Sequence, residues 1–263
     1  MFVAIGTMPP VRTNVQLCSF VLRPSKPIAI SYSLFKQSTS SFASLSEAPK
    51  RANTKKVTLT QEELVKINLT IPRLCLSDHH LDTAIQLTKA SLLTSPPPKS
   101  ISLSILIHSL TSQPDMSKPM SLLTSITHNP QAHPHLMPIT TMLVTSYVNK
   151  KRPKEALKVY RWLHRPRCPC KVENIVYGVL VNGFCRFGLV LEALKVLRDM
   201  VGVRLLPGGG LRERVYRSLL REARVKQAVE LNQALCDCIE DANGASVEKV
   251  VKLLESMIVN WTD

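Results

Sequence analysis

Aromatic side chains are scarce in this chain of 263 residues, at 5%, against a hydrophobic content of 44%. A core built from such a chain is packed by Leu, Val and Ala, which suits stacked helices. No run of about 18 uncharged apolar residues occurs in the body of the sequence, so no transmembrane helix and no membrane partner are expected. Ile101–Leu110 is apolar but too short to span. Acids are missing from residues 1–46, and Glu47 is the first. No Cys-x-x-Cys pair occurs. Seven cysteines is an odd number and implies no disulfide framework. Cys168-Pro-Cys170 and Cys236-Asp-Cys238 have one intervening residue where the usual zinc pattern has two. Positions i and i+2 of a helix point to different sides, which further separates Cys236 from Cys238. No metal, cofactor or small-molecule substrate is expected. No paired acidic cluster serves a metal-dependent nuclease, and Gly208–Gly210 lack the Lys-Ser/Thr of a phosphate-binding loop.

What is present is helical periodicity, clearest from Asn174 to Pro207. Val176, Val179, Leu180, Gly183, Phe184 and Phe187 fall on one face of a helix, which Gly188 stops. Val190, Ala193, Leu194, Leu197, Met200 and Val201 make a second face, ended by Pro207. The stretch therefore predicts a helix–turn–helix hairpin. Glu155–Val159 returns as Glu192–Val196, 37 positions on, and Leu143-Val144 stands at the same distance from Leu180-Val181. One step further back, Leu106-Ile107 occupies the matching place and Pro119–Leu122 replaces Ala156–Val159. Leu81–Leu87 reads as an earlier second helix, preceded by a first helix over about Gln61–Leu74 that Pro72 fits badly. Forward, Val215–Leu220 is paired with Val176–Val181, and Val225–Leu231 with the second helix. Pro114 and Asn129–Pro138 mark turns between units, as do residues 94–100. His128, His133 and His135 fall in the second of these, without partners at ligand spacing.

Tyr177, Leu180-Val181, Gly183-Phe184-Cys185-Arg186, Gly188, Glu192-Ala193-Leu194, Met200 and Pro207 carry the pattern of a pentatricopeptide repeat, and the chain resembles a short P-type member of that family from plant organelles. The resemblance implies an all-α fold, a right-handed solenoid of hairpins. Residues 58–238 would hold about five of them, one close to the pattern, one fair and three degenerate. Residues 239–263 would form a capping helix, with Val247, Val250, Val251, Leu254 and Ile258 on its apolar side, Ser246 as N-cap and Trp261 closing its hydrophobic end. Residues 1–57, free of acids up to Glu47 and rich in Ser, read as an organelle transit peptide and linker, or as a disordered basic tail. Cleavage is expected between residues 30 and 55. The implied compartment is the mitochondrion, with the chloroplast as alternative.

Charge agrees with an anionic partner. Up to Lys56 there are eight Lys or Arg and one acid, so +7 of the formal +15 sits there and +8 remains on the body. In the family each unit addresses about one RNA base through a few side chains. Carried over, the reading positions are Gly178 with Gly208, Thr141 with Glu173, and Ser104 with Leu136. Glycine has no side chain to read a base, Glu173 departs from the usual Asn or Asp, and Leu136 cannot hydrogen-bond. Lys150, Lys151 and Arg186 would contact phosphates. In the basic turn Arg161–Lys171, Trp162 is expected in packing and Arg165 is a further candidate for nucleic acid. Two functions follow. One is a non-catalytic adaptor that binds single-stranded organellar RNA in splicing, stability or translation, with other RNA-processing proteins as partners. The other is a protein-interaction scaffold in an organellar ribonucleoprotein. An enzyme is not expected, because the His-x-Glu and Cys-x-x-Cys of the deaminase domain found in some relatives are missing.

Overall fold

The computed structural model describes residues 60–76, 80–93, 101, 103–166, 168–240 and 244–261. The expected transit segment, its cleavage region and the loop 94–100 lie outside them. Among the described residues the protein is all-α, with no strand: α1 Gln61–Cys75, α2 Leu81–Leu92, α3 Ser104–Ser112, α4 Ser117–Thr127, α5 His133–Asn149, α6 Pro153–Leu163, α7 Asn174–Arg186, α8 Val190–Gly202, α9 Gly209–Arg221, α10 Val225–Glu240 and α11 Gly244–Val259. α1 to α10 pair into five antiparallel hairpins. The first helices stack in chain order, α1 on α3, α3 on α5, α5 on α7 and α7 on α9. This is an α-solenoid of helical hairpins.

Local chemistry explains the boundaries. Thr60 opens α1 through a capping box: its hydroxyl accepts from the Glu63 N–H, and the Glu63 carboxylate accepts from the Thr60 N–H at 2.8 Å. α1 runs through Pro72 to Cys75, because the missing N–H falls one turn from the end and buried Ile71 and Cys75 hold that turn against the core. The run Asn129–Pro138 is only partly a turn. A 3-10 turn covers Pro130–Ala132, and α5 begins at His133, so His133 and His135 are helical. Pro134 occupies the first turn, where no N–H is needed, and burial of Leu136, Met137 and Ile139 carries the helix past Pro138.

The turn inside a hairpin repeats as a Schellman motif. The residue after the cap lies in the left-handed region, and the next N–H returns to the helix: Arg152 to Tyr147 O (2.9 Å), Leu189 to Phe184 O (2.9 Å) and Arg224 to Leu219 O (3.0 Å). The left-handed residues are Lys151 (φ 57°), Gly188 (φ 72°) and Ala223 (φ 58°). These turns set the register between units at 37 and then 35 residues. In that register Val215 matches Leu180 and Leu219 matches Phe184. The pairing of Val215–Leu220 with Val176–Val181 is therefore one helical turn out, because side-chain likeness shifted it from the turn that fixes the hairpin.

α11 does not extend the stack. It folds back against α8 and α10 and buries Val250, Leu254 and Met257. Its end is fastened by Arg224, whose guanidinium lies 4.3 Å over the Trp261 ring and donates to the Trp261 carbonyl.

Two outcomes test this packing. Ala223→Gly, which removes the Cβ clash of the left-handed region, raises the unfolding free energy by about 0.5–1 kcal/mol in urea denaturation. A Cβ on Gly183 would stand 2.6 Å from Val148 Cγ1, where α7 crosses α5. Gly183→Ala therefore costs about 1–3 kcal/mol. Adding Val148→Ala costs less than the sum of the two single changes.

Candidate nucleic-acid interface

Two buried columns run through the first helices and fix which side chains face outward. Leu106, Leu143, Leu180 and Val215 form one, and Leu110, Tyr147, Phe184 and Leu219 the other, all at most 1% exposed. In the same register three rows lie across α3, α5, α7 and α9. Ser104, Thr141, Gly178 and Glu213 make the first, at the start of α3, two turns into α5 and one turn into α7 and α9. His108, Thr145, Asn182 and Arg217 make the second, and Ser112, Asn149, Arg186 and Arg221 the third. The rows are four residues apart along each helix, so they share a face. None of these twelve residues is buried, and the face they make is polar and turns cationic from Arg186 of α7 to α9.

The first row contains three of the reading positions. Ser104 is exposed, Thr141 is half-buried, and Gly178 has open space where a Cβ would stand. Exposed Ile175 and Ile105 flank them as apolar surface. Glu173 and Gly208 are the extended N-cap residues of α7 and α9 and are exposed, so they lie at the mouths of successive units. Leu136 does not share that place. It lies inside α5 and is fully buried, and the N-cap of α5 is Ala132. The extra turn at the start of α5 is the reason.

The three expected phosphate contacts separate. The side chains of Arg186 and Lys151 are exposed and make no hydrogen bond or ion pair among the described residues. The Lys150 ammonium instead donates to His108 O (2.5 Å) and Ser112 Oγ (2.6 Å). Arg152 donates to the carbonyls of Thr111 (2.8 Å), Gln113 (2.5 Å) and Pro114 (3.0 Å) and pairs with Glu155 at 2.9 Å. Two cations of the third hairpin thus satisfy the C-terminal carbonyls of α3, which ends without a cap of its own. Burial and the Arg152 charge push the Lys150 ammonium down.

On the second-helix side, Tyr160 Oη donates to Asp199 Oδ2 at 2.8 Å and joins α6 to α8. Burial first, and the Asp199 charge second, push that phenol well up. Trp162 is buried in packing, and exposed Arg165 lines a cleft with it, Thr124, Thr127, His128 and Cys168, away from the three rows. Cys168 and Cys170 bring their sulfurs to 3.6 Å. Among the described residues no group of three His, Cys, Asp or Glu is placed to hold a metal ion.

The residues that sequence reasoning missed are Arg214, Arg217 and Arg221 of α9. The signal was available: aligning Ala223-Arg224 with Gly188-Leu189 puts Arg217 and Arg221 opposite Asn182 and Arg186.

A model of the PPR repeat family matches residues 169–201, which hold α7 and nearly all of α8. A comparison with curated proteins returned no match.

Lys150→Ala removes two donors from the end of α3 and lowers the unfolding free energy by about 1 kcal/mol. Lys151→Ala, one residue on, changes it by less than about 0.5 kcal/mol in the same denaturation experiment.

Proposed function

We propose that this protein binds single-stranded RNA along the three rows and acts as a non-catalytic adaptor in organellar RNA processing. The observation that carries the reading is the registered face itself. One unit matches the PPR repeat, and the columns on either side of it place the neighbouring first helices in the same pose. Such a face presents one registered position per unit, which suits one base per unit. The body charge of +8 supports an anionic partner. The acid-free stretch before Glu47 supports an organellar address, the mitochondrion first and the chloroplast second.

Base selection on this reading is narrow. Ser104 and Thr141 offer hydroxyls, Gly178 and Gly208 offer nothing, and Glu173 offers an acceptor that repels phosphate. Lys151 and Arg186 remain as phosphate contacts, with Lys150 committed to α3. The poor reading set, together with the apolar surface of Ile105 and Ile175, supports the second reading, a protein-interaction scaffold in a ribonucleoprotein.

Crosslinking and immunoprecipitation of the tagged chain, followed by RNA sequencing, separates the two. The expected outcome is enrichment of a small set of transcripts that is lost when Ser104 and Thr141 are both changed to Ala. A stable set of co-purified proteins with no crosslinked RNA would establish the scaffold instead.

A further inference from the structure

We propose that the arginine row of α9 is a phosphate grip, a site that holds the sugar–phosphate backbone of the strand at the fifth hairpin without regard to sequence. It rests on the RNA-binding reading above and adds where the affinity comes from. Arg214, Arg217 and Arg221 are exposed on α9, on the flank beside its buried residue Ser218. With Gly210, Glu213 and Cys185 of α7 they line a cleft of about 110 Å³ at the α7–α9 junction.

The charge balance of that cleft is unusual for a surface helix. Glu213 is its one carboxylate, and it pairs with Arg217 Nε at 2.6 Å. Among the described residues the guanidinium groups of Arg214 and Arg221 make no hydrogen bond or ion pair, and neither does that of Arg186 in the same row as Arg221, although the Arg214 carbonyl accepts from Ser218 Oγ at 2.9 Å. Like charges three and four residues apart on a helix repel and weaken it. Arg214 with Arg217, and Arg217 with Arg221, are two such pairs facing one acid. An anion in the cleft removes that repulsion. The guanidinium fork fits two phosphate oxygens at once.

The rest of the face shows why the strand would be held here. Units two and three contribute only Ser104, His108, Ser112, Thr141, Thr145 and Asn149 to the rows, and unit four adds Gly178, Asn182 and Arg186. Cationic charge on the face therefore gathers at one end. Small hydroxyls could select bases but would bind weakly, and the grip supplies the attraction they lack.

The test is fluorescence anisotropy of the whole chain with two labelled single-stranded RNAs of unrelated sequence, over about 50–200 mM salt. The variants are Arg214→Gln with Arg221→Gln, and those two with Arg217→Gln. The expected result for the triple variant is equal weakening on both RNAs and a log–log salt slope shallower by about 2, as three lost phosphate contacts require for single strands. Its thermal unfolding midpoint stays at or above that of the parent, since like charges have been removed. A triple variant with the parent's slope and affinity overturns the grip and leaves the RNA reading standing. Weakening confined to one of the two RNAs also overturns it, because the arginines would then read bases. If the parent chain binds neither RNA, the RNA reading itself falls. If poly-glutamate then binds in an arginine-dependent way, the cleft takes an acidic peptide.

Discussion

The two buried columns that thread the first helices are the constraint on which everything else depends. Each is a stack of large apolar side chains, one per unit, and full burial of each is worth about 1.5–3 kcal/mol relative to water. Their stacking forces α3, α5, α7 and α9 into one register, and that register is what places Ser104, Thr141, Gly178 and Glu213 in a line. A slip of one residue in any helix would rotate its column by about 100° and break the row. The functional face is thus a by-product of core packing, in which the outward positions are set by what is inward.

Polar contacts then fasten neighbours that the columns bring together. Thr111 Oγ1 and Ser146 Oγ meet at 2.6 Å between α3 and α5. Lys150 and Arg152 cover the open end of α3, and the Tyr160–Asp199 bond couples α6 to α8. These links lie between hairpins and mostly involve units two to four. They also divide the basic residues by role. Lys150 and Arg224, which follow the ends of first helices, find carbonyls to cap. On the outward rows Arg217 finds only Glu213, and Arg186 and Arg221 find no partner among the described residues, so those are the ones available to a ligand.

The hairpin from Asn174 onward was legible because its two apolar stripes and Gly188 agree with each other. Even so, α7 is buried more widely than its stripe, through Tyr177, Val181 and Cys185, since α5, α8 and α9 all pack against it. A periodicity of 3.6 shows that a helix has an inside, not how many neighbours it has. The start of α5 was hidden by its prolines, which are turn signals in isolation and first-turn residues once Leu136 and Ile139 are buried. The α9 register was hidden because its left-handed position is Ala223 rather than glycine. That slip concealed the arginine row. The placement of α11 against α8 and α10 depends on which groove is open at the end of the stack, and no local pattern reports that.

That backward turn of α11 changes how the molecule comes apart. A pure solenoid behaves as a line of units coupled to nearest neighbours, and any stretch of it can fray alone. Here a helix from the far C-terminus lies on the second helix of the fourth hairpin, so the fourth and fifth hairpins and α11 share one closed set of contacts. Among the described residues the first hairpin packs mainly on the second. Local unfolding should therefore begin at α1 and α2 and stop at the fourth hairpin, with the C-terminal portion melting as one cooperative block. The half of the molecule that carries the arginines is the half that stays folded longest.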